Sequence, residues 1–155
     1  MAIGTRDTIV LGAELPQLSR QWSLEIFSER HQTVYGSENL APDRRPARSL
    51  HNDDKLAKRE GLDAPVASAP QVISLVHRMM MLAFGVGWVA GGAISVKMIR
   101  PVFESDFTTG KGRVTGISLE RTRDGHDRVR ATCEVWVERR DGTKVLVGDA
   151  SAVLT

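Results

Sequence analysis

One apolar segment limits the folds that this chain can adopt. Between residues 70 and 84 the only polar side chains are Gln71, Ser74, His77 and Arg78. Because Gln71, Ser74 and Arg78 are three and four residues apart, a helix here carries one narrow polar stripe and is otherwise apolar. Such a helix is normally buried inside a protein, and it is shorter than the about 20 apolar residues that span a bilayer.

The ends of this helix are marked by residues that favour helix termini. Ser68 is a suitable N-cap, and Pro70 suits the first turn. Gly85 and Gly87 suit the C-terminal end. We therefore predict one buried helix, and the rest of the chain must provide the surface that covers it.

Alternation of apolar and polar residues predicts β-strands after this helix. The segments that alternate or are rich in β-branched residues are 93–100, 113–119, 128–138 and 144–154. Turn signals at 109–112, at Asp124-Gly125 and at Asp141-Gly142 separate them. We predict an antiparallel meander of at least four strands, and the segregation of helices from strands indicates the α+β class.

The N-terminal part of the chain predicts shorter elements. These are a weak strand over 8–10, a helix over 23–35 and a long loop over 36–50. A short helix follows, which Asn52 or Asp53 can cap and which Gly61 can end.

The composition bounds the class of protein and of site. A length of 155 residues fits one domain over 1–155, and 21 basic against 19 acidic residues leave too little net charge to favour nucleic acid. The single cysteine, Cys133, excludes an internal disulfide and a cysteine-cluster metal site, and we expect no metal. The first residues do not form a signal peptide, so we expect a cytoplasmic protein with no membrane segment.

Short segments on both sides of the central helix stand in an order and spacing that match a known family. They are His51-x-Asp53, Gly61, Pro65-Val66, residues 91–97, Arg100-Pro101-Val102, Asp106 and residues 142–150. Together they resemble the MaoC-like (R)-specific enoyl-thioester hydratases and dehydratases. The resemblance implies a hot-dog fold, in which an antiparallel sheet wraps a long central helix. It also implies a homodimer joined edge to edge, or a dimer of dimers.

The resemblance further implies an activity and a catalytic residue. The family's pattern is Asp-x-Asn-Pro-x-His, and His51 occupies its histidine position. This implies reversible hydration or dehydration of an enoyl or 3-hydroxyacyl thioester, on coenzyme A or a carrier protein, with His51 as acid and base and no cofactor. Pro46 stands where the family has its aspartate, while Arg48 and Ser49 replace the Asn-Pro. Asp43, eight residues before His51, can substitute only if this loop rearranges.

The resemblance and the spacing also mark substrate-binding candidates near the start of the central helix. Ala69 falls where the family has a glycine whose backbone N–H serves an oxyanion hole, and any residue but proline can provide that N–H. Ser68 and Ser74 can orient a substrate carbonyl or hydroxyl. A serine on a buried helix can equally donate to a carbonyl of its own preceding turn.

Two other functions remain open because of the residue at position 46. One is a relative with altered chemistry: a thioesterase, an isomerase or another biosynthetic lyase. The other is a non-catalytic binding or assembly subunit that keeps the fold.

Overall fold

The computed structural model of this chain describes residues 9–27, 48–121 and 125–154. The predictions for Asp43, for Pro46 and for most of the helix over 23–35 lie outside these residues. Three helices and five strands are formed in the described part. The helices are α1 (Asp54–Arg59), α2 (Ala69–Phe84) and α3 (Val86–Gly91). The strands are β1 (Leu18–Gln21), β2 (Ala93–Met98), β3 (Phe107–Arg121), β4 (Asp127–Arg139) and β5 (Lys144–Leu154).

Helix α2 is the predicted central helix. Ser68 is its N-cap, and the Gln71 side chain accepts a hydrogen bond from the Ser68 backbone N–H at 2.9 Å. Gly85, at φ 52°, ends the helix. The prediction that Gly87 also marks this end is wrong, because Gly87 is buried within α3, which begins directly after Gly85. The chain therefore continues directly into the short helix α3 before β2 begins.

The five strands form one antiparallel sheet in the order β1-β3-β4-β5-β2. Strands β3, β4 and β5 form the predicted meander. The predicted four-stranded meander is wrong in one respect, because β2 pairs with β5 and lies far from β3, its neighbour in sequence. In the chain, helices α2 and α3 come between β1 and β2. In the sheet, these two strands occupy opposite edges.

The sheet packs one face against α2. Val72, Val76 and Met79 of the helix are fully buried. Facing them, β4 alternates as predicted, and its fully buried side chains are those of Ala131, Cys133, Val135 and Val137. Each large apolar side chain buried in this way contributes about 1.5–3 kcal/mol, so this interface is the main source of stability. The predicted α+β class and the wrapped central helix are confirmed.

The glycines at 110 and 112 lie inside β3, so the prediction of a turn at 109–112 is wrong. A Cβ on Gly110 would lie 3.4 Å from the Cβ of Leu75 on α2. A Cβ on Gly112 would lie 2.9 Å from the Leu15 side chain. These glycines allow close packing on the sheet rather than a reversal of the chain, which is another common use of glycine in a strand.

The first strand also differs from its prediction. Ile9 and Val10 are not in a strand, and β1 begins at Leu18, where it pairs with β3. The region before β1 contacts β3 by single bonds, including one from the Leu15 N–H to the Gly112 carbonyl at 2.8 Å. None of the helices in the described ranges is long and apolar enough to cross a bilayer.

Gly148 provides a test of the contact between β2 and β5. A Cβ on Gly148 would overlap the Ser95 carbonyl oxygen and lie 2.7 Å from the Val96 Cα, both on the β2 backbone. We expect Gly148→Ala to lower the free energy of unfolding by about 3 kcal/mol, measured by urea denaturation. Gly116→Ala is the matched control, since its Cβ would meet only the Thr132 side chain at 3.7 Å. That control is expected to change stability by less than about 1 kcal/mol, and equal effects of the two variants would contradict this account.

Candidate functional site

His51 lies in the turn that leads into α1, and its ring is turned toward the segment before α2. Its Nδ1 is 2.8 Å from the Val66 carbonyl oxygen. The backbone fixes the same two segments, because the Val66 N–H donates to the Leu50 carbonyl at 3.2 Å. His51 is half-buried and Val66 is buried. The histidine is therefore held against the segment that precedes the central helix.

The contact with Val66 determines which nitrogen of His51 carries the proton. A carbonyl oxygen can only accept a hydrogen bond, so Nδ1 must be the donor. In the neutral ring, Nε2 then carries the lone pair. An imidazole in this state can take a proton through Nε2 while the protein holds its other nitrogen.

Asp53 has a structural role close to His51. Its side chain accepts hydrogen bonds from the Lys55 N–H at 2.9 Å and the Leu56 N–H at 3.1 Å. It is the N-cap of α1, so the prediction of a cap in this turn is confirmed for Asp53. Gly61, at φ 82°, follows the end of α1.

The N-terminus of α2 offers a backbone donor near His51. Val66, Ala67 and Ser68 are buried, whereas Ala69 is exposed. Within the described residues, no acceptor is bonded to the Ala69 N–H. Pro70 has no N–H, and the next two N–H groups both donate to the Ser68 carbonyl. Ala69 thus carries the available donor of the first turn, at the positive end of the helix dipole.

Ser68 and Ser74 both bond inside the helix. The Ser68 hydroxyl is 3.1 Å from the Gln71 side-chain oxygen, to which it donates. The Ser74 hydroxyl donates to the Gln71 carbonyl at 2.6 Å. This is the local alternative that a serine on a buried helix offers. The Ser74 hydroxyl oxygen can still accept a bond from a ligand, and the substrate-binding roles of both serines stay predictions.

Gln71 connects the helix start to the N-terminal region. Its side-chain nitrogen donates to the Ile26 carbonyl at 2.7 Å, and its oxygen accepts from Ser68. Residues 24–27 are helical, and the Ser23 hydroxyl accepts from the Ile26 N–H at 3.3 Å. Ser23 thus caps the start of this helix.

No aspartate or glutamate in the described ranges is hydrogen-bonded or ion-paired to His51. In the family pattern the carboxylate stands at position 46. That position and Asp43 both lie outside those ranges. Nor do the described residues contain three clustered side chains able to hold a metal ion. Among the described residues, the candidate site thus offers one imidazole and one helix N-terminus.

Sequence reasoning missed the Val66 carbonyl as the partner of His51. Val66 entered the argument only as part of the family resemblance, and a backbone carbonyl has no residue type that a sequence could reveal. The structure thus adds the group that orients the catalytic candidate.

Cys133 is not a candidate nucleophile. It is fully buried on the core face of β4, and burial raises the pKa of its thiol to about 12. The thiolate is the reactive form, so this cysteine is inert near neutral pH.

This burial predicts the reactivity of Cys133 toward alkylating reagents. Below a pH of about 12 the folded protein should resist iodoacetamide, because its thiol is both protonated and covered. The denatured chain should react at the rate of an ordinary cysteine. Mass spectrometry after timed labelling distinguishes the two states, and rapid labelling of the native protein would contradict the buried position.

Solved structures with the same architecture place this site in context. The X-ray structure of a monoamine oxidase regulatory protein from Archaeoglobus matches 99% of this chain and 94% of its own, with a TM-score of 0.71 and 20% identity. An (R)-hydratase from A. caviae involved in PHA biosynthesis matches 96% of this chain and 98% of its own, with a TM-score of 0.67 and 16% identity. A MaoC-like dehydratase from Rhodospirillum rubrum matches 97% and 95%, with a TM-score of 0.68 and 15% identity.

The chain has the hot-dog fold. These matches run over nearly the whole of each chain, which confirms the fold that the sequence resemblance implies. No protein-family model matches the chain, and no curated protein matches it by sequence. At identities of 15–20% the matches establish the architecture of the MaoC-like hydratases and dehydratases, and the chemistry has to be argued from the site itself.

Proposed function

We propose that this protein catalyses the reversible hydration or dehydration of an enoyl or 3-hydroxyacyl thioester, carried by coenzyme A or a carrier protein. The observation that supports this most is the bond from His51 Nδ1 to the Val66 carbonyl. With Nδ1 bonded, Nε2 is the proposed acid and base. The proposed oxyanion donor is the Ala69 N–H, which has no bonded acceptor among the described residues. Hot-dog relatives that are hydratases and dehydratases support the same reaction class.

In the proposed dehydration, His51 Nε2 takes the proton from C2 of the 3-hydroxyacyl thioester. The negative charge that develops moves to the thioester oxygen, which the Ala69 N–H and the helix dipole stabilise. The C3–O bond then breaks, and the imidazolium returns its proton to the leaving hydroxide. Water and the 2,3-double bond are the products, and hydration follows the same steps in reverse.

One residue performs both proton transfers in this scheme. General acid–base catalysis needs the group within hydrogen-bond reach of each reacting atom, and one imidazole between C2 and C3 meets that requirement. Ser68 and Ser74 are proposed to contact the substrate, with the Ser74 oxygen as an acceptor for its 3-hydroxyl. Asp43 is proposed to contact the same substrate if its loop rearranges.

A non-catalytic binding role is the second candidate. It is favoured by Pro46 in place of the family's aspartate and by the lack of a described carboxylate bonded to His51. A thioesterase would share the fold and the acyl substrate, and would release a free thiol instead of adding water.

The His51 proposal predicts a large loss of activity. His51→Ala should lower the rate of hydration of a short enoyl-CoA by at least about 100-fold, because Nε2 is its acid and base. The loss of absorbance of the conjugated thioester measures this rate. His126→Ala, in the hairpin between β3 and β4, is the control and should keep full activity.

Other outcomes decide between the candidates. Thiol release without hydration would identify a thioesterase. Absence of both reactions over all chain lengths, with no thioester raising the melting temperature, would contradict an acyl-thioester function. Full hydratase activity in His51→Ala would overturn the assignment of this residue.

We also propose that two copies join through β2 into a dimer, which can associate further into a dimer of dimers. Strand β2 is at the edge of the sheet, and no described strand pairs with its outer side, so a second copy can pair there. The two helices that precede β2 in the chain, α2 and α3, carry exposed apolar side chains: Met81, Leu82, Val86 and Val89. A single contact covering both features would explain their exposure.

The dimer proposal is tested with matched exposed residues. Sedimentation equilibrium should give twice the mass of one chain, and Val89→Glu should shift the protein to the monomer. Val89 is 70% exposed, and Leu119 on β3, two strands away from the β2–β5 pair, is 69% exposed. Leu119→Glu should therefore leave the dimer intact. A Val89→Glu protein that remains fully dimeric would exclude this surface.

A further inference from the structure

We infer that the ion pair between Asp106 and Arg139 is a positioning device for His51. This inference rests on the proposed function only for its effect on catalysis. Its effect on the state of the His51 ring can be measured without any substrate. Neither residue contacts His51. The connection runs through a backbone segment that lies between the ion pair and the histidine.

The ion pair holds the segment from Pro101 to Asp106 at both ends. Arg139 Nε donates to Asp106 Oδ2 at 3.0 Å, and Arg139 Nη2 donates to the Pro101 carbonyl at 2.7 Å. The Phe103 N–H donates to the same Asp106 oxygen at 2.9 Å. The guanidinium at the end of β4 therefore holds two points of this segment, and the Asp106 carboxylate holds a third.

The same segment holds the residues that precede α2. The Ala67 N–H donates to the Val102 carbonyl at 2.8 Å, and Val66 forms an antiparallel bridge with Phe103. Val66 provides the carbonyl that accepts from His51 Nδ1. The contacts thus form a continuous series from Arg139 to the imidazole, with no solvent gap between consecutive groups.

The contacts join Arg139 to His51 only through backbone groups. Among the described residues no hydrogen bond or ion pair connects the two side chains directly. A change at Arg139 therefore reaches His51 through the position of the Val66 carbonyl.

Both side chains are suited to hold the backbone in place. Asp106 and Arg139 are 22% and 23% exposed, so their pair is shielded more than an ordinary surface pair. Hydrogen bonds with a charged partner are shorter and stronger than neutral ones. Asp106 and Arg139 also line a cavity of about 280 Å³. Truncating Arg139 therefore enlarges an existing open space rather than creating a sealed void in the core.

Arg130 offers a matched control on the same strand. It pairs with Glu120 at 2.7 Å and donates to the Gly91 carbonyl at 2.8 Å. Arg130 thus also joins a carboxylate and a connecting segment, near the other end of β4. The hydrogen bond from Arg130 is the main cause that lowers the pKa of the Glu120 carboxyl. A loss of general stability should be similar in Arg130→Ala and Arg139→Ala, whereas only the latter should alter His51.

Two measurements test the inference on purified full-length protein. Long-range ¹⁵N–¹H spectra of histidine-labelled protein at alkaline pH report which ring nitrogen is protonated, and His51→Gln assigns the signals. We expect protonated Nδ1 in the wild type and in Arg130→Ala, and a mixture of tautomers in Arg139→Ala. For hydration of an enoyl-CoA, kcat should fall about 10- to 100-fold in Arg139→Ala with KM nearly unchanged. Arg139→Lys should restore part of both signatures.

The outcomes separate this inference from the proposed function. Unchanged His51 signals in a folded Arg139→Ala protein would overturn the positioning role, whatever its activity. Equal losses of kcat in Arg130→Ala and Arg139→Ala would overturn it too, since that pattern reports stability alone. If the wild type lacks hydratase activity while Arg139→Ala still alters the His51 signals, the proposed function fails and the positioning role stands.

Asp106→Asn provides a second, independent variant. The amide oxygen can still accept from the Phe103 N–H, but the charge that holds Arg139 is lost. The double variant Asp106→Asn with Arg139→Ala should change the His51 signals no more than Arg139→Ala alone, because both changes act on one contact. Additive effects on the His51 signals would contradict the single series of contacts.

Discussion

Burial of helix α2 is the constraint on which the other features of the molecule depend. Its buried face, which includes Val72, Val76 and Met79, would be costly to expose, so the sheet must cover it. The glycine at position 110 of β3 allows the close approach to Leu75 on the helix. The start of α2 is fixed to the 101–106 segment at the same time. The packing of the sheet against α2 places His51 beside the start of this helix, and the candidate site is located at that point.

The periodicity of the sequence was sufficient to predict elements whose own residues decide their structure. Helix α2 and strand β4 carry their pattern of burial in the alternation of apolar side chains. Elements that depend on distant neighbours were harder to predict. From the sequence alone, Gly110 and Gly112 resemble turn residues. The structure shows that they allow close packing against the helix and against Leu15. The edge position of β2 depends on how α2 and α3 cross the sheet, which no local pattern records.

The candidate site shows the same division between local and distant determinants. The family resemblance identified His51, and helix-capping rules identified Ser68 and Asp53. The partner of His51 is a carbonyl, and Arg139 reaches Asp106 across 33 positions of sequence. Both contacts arise from the tertiary structure. The proposed site, with one imidazole, one helix N-terminus and a supporting ion pair, would need few unusual residues and would therefore leave a weak sequence signature.

A crystal structure with an amide analogue of a 3-hydroxyacyl-CoA, in which NH replaces the thioester sulfur and makes the C2 proton less acidic, would test the central claim most directly. The account predicts that the 3-hydroxyl lies about 3 Å from His51 Nε2 and that the acyl oxygen accepts from the Ala69 N–H. Nδ1 should remain bonded to the Val66 carbonyl. An analogue bound elsewhere, or a His51 Nε2 that faces solvent in the complex, would contradict the proposed chemistry.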